Sequence, residues 1–149
     1  MILYIDADAC PVKEEALRVA HRHQMQVFMV SDGGIRPNPH PLVEVVVVTQ
    51  GADAADDWIV EKIAPGDMCV TGDIPLADRC IKKGARAIRH NGEMFTTANI
   101  GNQLAMRDFM TDMRAANPLN QGGGGKPFSK ADRSRFLDVL EREVRRKLP

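Results

Sequence analysis

The chain has 149 residues, 20 Lys and Arg against 20 Asp and Glu, 44% hydrophobic and 27% charged side chains, and only 5% aromatics. This length and ordinary globular composition predict one domain over residues 1–149, with a core of aliphatic side chains, and the absence of a fixed-period repeat excludes a solenoid. Cys10, Cys69 and Cys80 form no C-x-x-C pair, which argues against a disulfide scaffold or structural zinc, and the stretch Met1 to Asp6 has neither a basic segment nor a long apolar run, so the chain reads as cytoplasmic with no membrane span.

Zero net charge conceals an asymmetry. Residues 1–80 hold 13 acidic and 6 basic side chains, whereas residues 81–149 hold 7 acidic and 14 basic. An acidic half suits cations and a basic half suits phosphates; the plain alternative is two solvated faces.

In chain order, Ile2-Leu3-Tyr4-Ile5 reads as a buried strand ending at Asp6, and the helical spacing of Val12, Ala16, Leu17, Val19 and Ala20 predicts a helix from Pro11 to about His23. Val27 to Val30 is a second strand, closed by Ser31-Asp32-Gly33-Gly34. Pro37, Pro39 and Pro41 mark a loop, and Val43 to Val48 is a third strand. A helix follows from Asp53 to about Ala64, with Ala54, Trp58 and Ile59 at usable spacing. Met68-Cys69-Val70 is a fourth strand, Pro75 to Lys83 a short helix closed by Gly84, and Ala85 to Ile88 a fifth strand. Beyond Glu93 the pattern turns helical, with Ile100, Leu104, Met106, Phe109, Met110 and Met113 as a core stripe or a homodimer face. Residues 116–128, including Gly122 to Gly125, read as a flexible loop. Ser129-x-x-Asp132 resembles a capping box opening a last helix over residues 129–147, which should pack on the sheet or on a second subunit. Strands alternating with helices predict an α/β fold: a three-layer α/β/α sandwich around a mostly parallel five-stranded sheet, with added C-terminal helices.

The acids carry the functional signal. Asp6 and Asp8 follow strand one, Asp53, Asp56 and Asp57 follow strand three, and Asp73 and Asp78 follow strand four. In a parallel sheet these strand ends share one edge, where ligands bind. Clustered carboxylates repel, and a hard divalent ion, Mg²⁺ or Mn²⁺, removes that repulsion. Each acid also has a structural reading. Asp53 and Asp56 suit a helix start, and Asp78 can pair with Lys82 four residues on. Asp6 and Asp73, directly after apolar strands, are harder to explain without a partner. Cys10, Cys69 and Cys80 read as small core residues, the scattered His21, His23, His40 and His90 do not suggest zinc, and neither G-x-x-x-x-G-K nor G-x-G-x-x-G occurs.

Asp6-Ala-Asp-Ala-Cys-Pro-Val, Gly51-Ala-Asp-Ala-Ala-Asp-Asp-Trp-Ile, Thr71-Gly-Asp-Ile-Pro-Leu-Ala and Lys126-Pro-Phe-Ser-x-x-Asp-Arg-x-x-Phe together resemble the uncharacterised bacterial YaiI/YqxD family (UPF0178, DUF188) over nearly the whole chain. More distantly the chain is similar to the PIN and NYN nucleases. That resemblance implies a PIN-like fold with acids at Asp6, at Asp56 or Asp57, and at Asp73, with Thr71 where PIN domains often carry Ser or Thr. The chain departs from it in Asp8, Cys10-Pro11, Asp53 and the long tail.

The leading expectation is metal-dependent phosphodiester hydrolysis, RNA favoured, with Asp6, Asp57 and Asp73 as catalytic and metal-holding residues. Asp8, Asp56, Thr71, Asp53 and Asp78 would support them, and Lys82, Lys83, Arg86, Arg89 and Arg107 would contact the strand's phosphates. A second reading is a haloacid-dehalogenase-like phosphatase: Asp6 would be the nucleophile, Asp8 the acid/base, Gly72-Asp73 to Asp78 the last motif, and Lys62 the one candidate for the missing lysine. A third is a PIN-like domain that binds RNA or a protein partner without catalysis.

Overall fold

The structure is a computed structural model that describes residues 1–8, 10–33, 35–49, 53–106 and 127–146. Five parallel strands, β1 (Ile2–Asp6), β2 (Gln26–Ser31), β3 (Val43–Val47), β4 (Met68–Val70) and β5 (Arg86–Ile88), and a short antiparallel β6 (Met94–Phe95) form one sheet in the order β3-β2-β1-β4-β5-β6. The sheet therefore has six strands rather than five. The sixth is two residues long, too short to leave an alternating pattern in the sequence.

The helices are α1 (Lys13–Arg22), α2 (Ala54–Lys62), α3 (Ile74–Lys82), α4 (residues 100–106) and α5 (Lys130–Arg145). Their ends follow local chemistry. Asp73 caps α3 by accepting from the Leu76 N–H at 3.0 Å, with Pro75 in the first turn. Gly84, at φ +86°, ends α3 in the left-handed region. Ser129 and Asp132 form the reciprocal capping box of α5. Gly92, at φ +90°, lies where an added Cβ would sit 2.8 Å from the Arg135 backbone, so only glycine lets α5 pass the β5–β6 turn.

Side-chain parity along the strands sorts the core into two layers. Leu3, Ile5, Val27, Met29, Met68, Val70 and Ile88 pack with α1 and α5. Tyr4, Val30, Cys69 and Ala87 face α2 and α3. This is a three-layer α/β/α architecture. The C-terminal helix packs on its own sheet through Phe136, Val139 and Leu140, while Arg86 on β5 donates to the Glu143 carbonyl and carboxylate, each at 2.8 Å. Met106, the last described residue of α4, is exposed. Arg107, Phe109, Met110, Met113 and Gly122 to Gly125 lie outside the described residues. Among the described residues no helix is long and apolar enough to cross a membrane.

Candidate functional site

Strand β1 is the switch point: the chain continues to β2 and β3 on one side of it and to β4 and β5 on the other, so a crevice opens at the carboxyl ends of β1 and β4. Ile5 pairs with Val70, which brings Asp6 level with Thr71. Parity turns both toward the α2–α3 layer. Thr71 is fully buried, and its hydroxyl donates to Asp6 Oδ2 at 2.8 Å while accepting from the Asp73 N–H at 2.9 Å. One threonine thus fixes both acids.

Asp56, in the first turn of α2, is the third member. Burial raises its pKa from 3.8 to about 7, reinforced by the charges of Asp73, Asp6 and Asp53, and Arg79 opposes the rise. Burial also raises the Asp6 pKa; the Thr71 hydrogen bond works against this, and Asp73 and Asp8 add to it. Each of these carboxyls is therefore disfavoured as a charge by its neighbours as well as by burial.

Asp57, expected as a catalytic and metal-holding residue, is not part of this group. Its side chain is 64% exposed and pairs with Arg79, itself 44% exposed, at 2.9 Å. The remaining acids divide as follows. Asp8 accepts from the Ser31 hydroxyl at 2.7 Å and the Asp32 N–H at 3.0 Å, which pins the loop after β1 to the end of β2. Asp53 is the exposed N-cap residue of α2 without a side-chain capping bond, and Asp78 pairs with Lys82 at 2.8 Å along α3.

The expected phosphate-contacting cations are also elsewhere. Helix α3 starts at the acidic edge and runs back along the sheet, so Lys82 and Lys83 end at the far edge, where Lys83 donates to the Val60 carbonyl. Arg86 opens β5 at that far edge and is tied to Glu143. Of these residues among the described ones, Arg89, just past β5, lies at the acidic edge, and its guanidinium is committed to Gln103 and to the Phe95 ring, 5.0 Å from the centroid. The cation that acts on Asp56 is Arg79, which the sequence reading did not single out. Ser31 was missed in the same way; its signal was its position one residue beyond the Asp6–Val30 pair of the parallel register.

Carboxylate oxygens suit a hard divalent ion. Yet among the described residues no three His, Cys, Asp or Glu side chains stand close enough to hold a metal ion between them. The donor type fits, but a closed protein cage does not form. Mg²⁺ is commonly held by one or two carboxylates completed by water and substrate phosphate, and that open arrangement is the one compatible with Asp6, Asp56 and Asp73. Cys10 is buried and its thiol is pushed up to about 11, mainly by burial, so it is a core thiol at neutral pH. Cys69 and Cys80 are fully buried.

Fold and site together define a three-layer α/β/α protein with an acidic crevice at its topological switch point. Residues 4–146 match the family described as "Uncharacterized BCR, YaiI/YqxD family" (DUF188). Curated relatives include a UPF0178 protein of Ruegeria pomeroyi, 65% identical over 96% of this chain and 93% of the relative. Another, of Roseobacter denitrificans, is 62% identical over 97% and 95%, and one of Parvibaculum lavamentivorans is 53% identical over 99% and 97%. The chain belongs to the YaiI/YqxD (UPF0178) family. No solved structure matches it significantly.

Proposed function

We propose that the crevice hydrolyses phosphodiester bonds, RNA first among them, with Mg²⁺ or Mn²⁺ and with Asp6, Asp56 and Asp73 as the working carboxylates. The observation that carries the reading is the Asp6–Thr71–Asp73 chain of hydrogen bonds beside Asp56, whose pKa is raised to about 7. When bound, a divalent ion would lower the pKa of a water ligand and offset charge on the attacked phosphate. Thr71 holds the Asp6 carboxylate in one orientation, and the N-cap bond does the same for Asp73, leaving Asp73 Oδ2 free of that bond. With its pKa near 7, Asp56 is only partly ionised at neutral pH in the free protein, so cation uptake should release protons. Arg79, paired with Asp57, is a cation whose charge acts on Asp56. The likeness of the acid positions to PIN and NYN nucleases points the same way.

The phosphatase reading is less well supported. Both oxygens of Asp8 are engaged by Ser31 and Asp32, and Lys62 ends α2, where its carbonyl accepts from the Tyr4 hydroxyl.

Single-stranded RNA should be cut in Mn²⁺ or Mg²⁺, not in chelator, and not by Asp6→Asn or Asp73→Asn. An asparagine in place of Asp73 can still cap α3, so loss there reports charge rather than folding. Titration with Mn²⁺ should also change Trp58 fluorescence and raise the melting temperature. If neither cleavage nor any response to the ion occurs, hydrolysis is ruled out and a binding-only domain is favoured; an aspartyl-phosphate at Asp6 would select the phosphatase.

A further inference from the structure

The acidic crevice needs a cation that the expected basic residues do not supply. Ionised Asp6, Asp56 and Asp73 outweigh one divalent ion, and a phosphodiester brings a further negative charge. Such a strand is repelled unless a cation of the protein meets it. Near this edge most of the described cations are engaged. Arg79 pairs with Asp57, Arg133 with Glu15 and Arg135 with Asp132, while Arg89 is held by Gln103 and the Phe95 ring.

Lys13 is different. It opens α1 at the same edge of the sheet, is partly exposed, and among the described residues forms no ion pair. Its Nζ makes one long contact, 3.5 Å to the carbonyl oxygen of Ala7, the residue between Asp6 and Asp8. An ammonium has three N–H donors, so two are left for a ligand.

The fold puts Lys13 there by a short route. Ala7 donates to the Val30 carbonyl at 2.9 Å, and the Cys10 N–H turns back to the Ala7 carbonyl at 3.4 Å, so the chain enters α1 directly above the end of β1. Parity sends Asp6 toward α2 and α3 and Ala7 toward the α1–α5 layer, so Lys13 reaches the strand end from the side opposite Asp6. Burial dominates the raised pKa of the Cys10 thiol, but that thiol also feels Lys13, which lowers it, and Asp6, which raises it. The charges that act on Asp6 itself are those of Asp73 and Asp8. Lys13 and Asp6 thus flank the end of β1 without pairing.

We propose that Lys13 is the phosphate-contacting cation of the crevice, holding a non-bridging oxygen of the substrate backbone across the end of β1 from Asp6. The identity of the substrate rests on the hydrolytic reading above; contact with a phosphate is testable whether or not the bond is cut. A lysine that only tied the loop after β1 to its own carbonyl would affect melting and leave the salt dependence of binding unchanged.

The experiment is binding of a labelled oligouridylate in Mn²⁺, by fluorescence anisotropy over a series of salt concentrations, with the probe checked afterwards for cleavage. Where it is cut, the Michaelis constant replaces the dissociation constant. Losing one phosphate contact lowers the salt slope for a single strand by about 0.7, which weakens binding about fivefold at about 0.1 M salt. Lys13→Gln should show both losses, and the same losses with an oligoadenylate, while keeping the Mn²⁺-dependent rise in melting temperature. Lys13→Arg should keep the wild-type slope. If Lys13→Gln melts early, Lys13→Met, which keeps the aliphatic stem, carries the same test. An unchanged slope in the uncharged variant overturns the assignment. So does an equal loss in Arg36→Gln, an exposed residue beyond β2, because the effect would then be a general field. Slope loss with an intact probe removes hydrolysis alone and keeps Lys13; cleavage with an unchanged slope removes Lys13 alone. Wild-type protein that binds neither oligonucleotide removes both.

Discussion

Replacing Asp56 by Asn should stabilise the metal-free protein at pH 8 and leave it unchanged near pH 4. In the unfolded chain Asp56 ionises near 3.8; in the fold it ionises near 7. Between those values the folded state binds the extra proton, so stability is highest below pH 4, falls as pH rises toward 7 and is level above. At about 1.4 kcal/mol per pH unit the full gap corresponds to ~4 kcal/mol. Asp56 is partly exposed, so solvent screening reduces this to about 2–3 kcal/mol. Asparagine carries no charge to repel Asp6 and Asp73, so the variant should melt about 4–12 °C above the wild type at pH 8. The assay is urea and thermal unfolding from pH 4 to 8 in chelator, read as the difference between the two proteins. A pH-independent difference, or a variant less stable at pH 8, would refute the account of a carboxyl held protonated by burial and by its acidic neighbours.

Thr71→Val, close in shape, removes the donor to Asp6 and the acceptor for the Asp73 amide, and should cost about 2–3 kcal/mol by urea denaturation. Arg86→Ala leaves the buried Glu143, among the described residues, with the longer Arg146 contact at 3.4 Å, and should cost about 2–4 kcal/mol in the same measurement. Asp57→Asn breaks an exposed pair, so its stability loss should stay below about 1 kcal/mol. A Mn²⁺-dependent rise in melting temperature should survive in Asp57→Asn and disappear in Asp6→Asn, as differential scanning fluorimetry can show.

The mostly parallel sheet and the shared acidic edge were legible because strands alternating with helices leave few alternatives, and acids after β1 and β4 then fall on one edge; which strands are neighbours was not. The choice between Asp56 and Asp57 was not legible in the same way. Expecting Ala54, Trp58 and Ile59 to face inward leaves both acids oblique to the core. The side chains that are buried are Ala55 and Ile59. At about 100° per residue, that stripe puts Asp57 roughly opposite the core and Asp56 on its flank. The shift of one alanine decides the matter, and alanine carries too little hydrophobic signal to reveal it. The basic residues misled for a different reason: their number after residue 80 is visible, but not that Arg86 and Lys82 are consumed by Glu143 and Asp78. The ion pair of Glu15 with Arg133 joins positions more than a hundred residues apart, which no local spacing announces.

The last helix spans the full height of the sheet, and this has a consequence for the protein as a unit. Arg133 fastens its beginning to the turn that follows β1, and Glu143 near its end receives the arginine of β5. Deleting the chain from Ser129 onward would therefore remove the clasp on Pro11 and Glu15 as well as a tail. The front of the molecule should lose its shape together with the back, in a single cooperative melt.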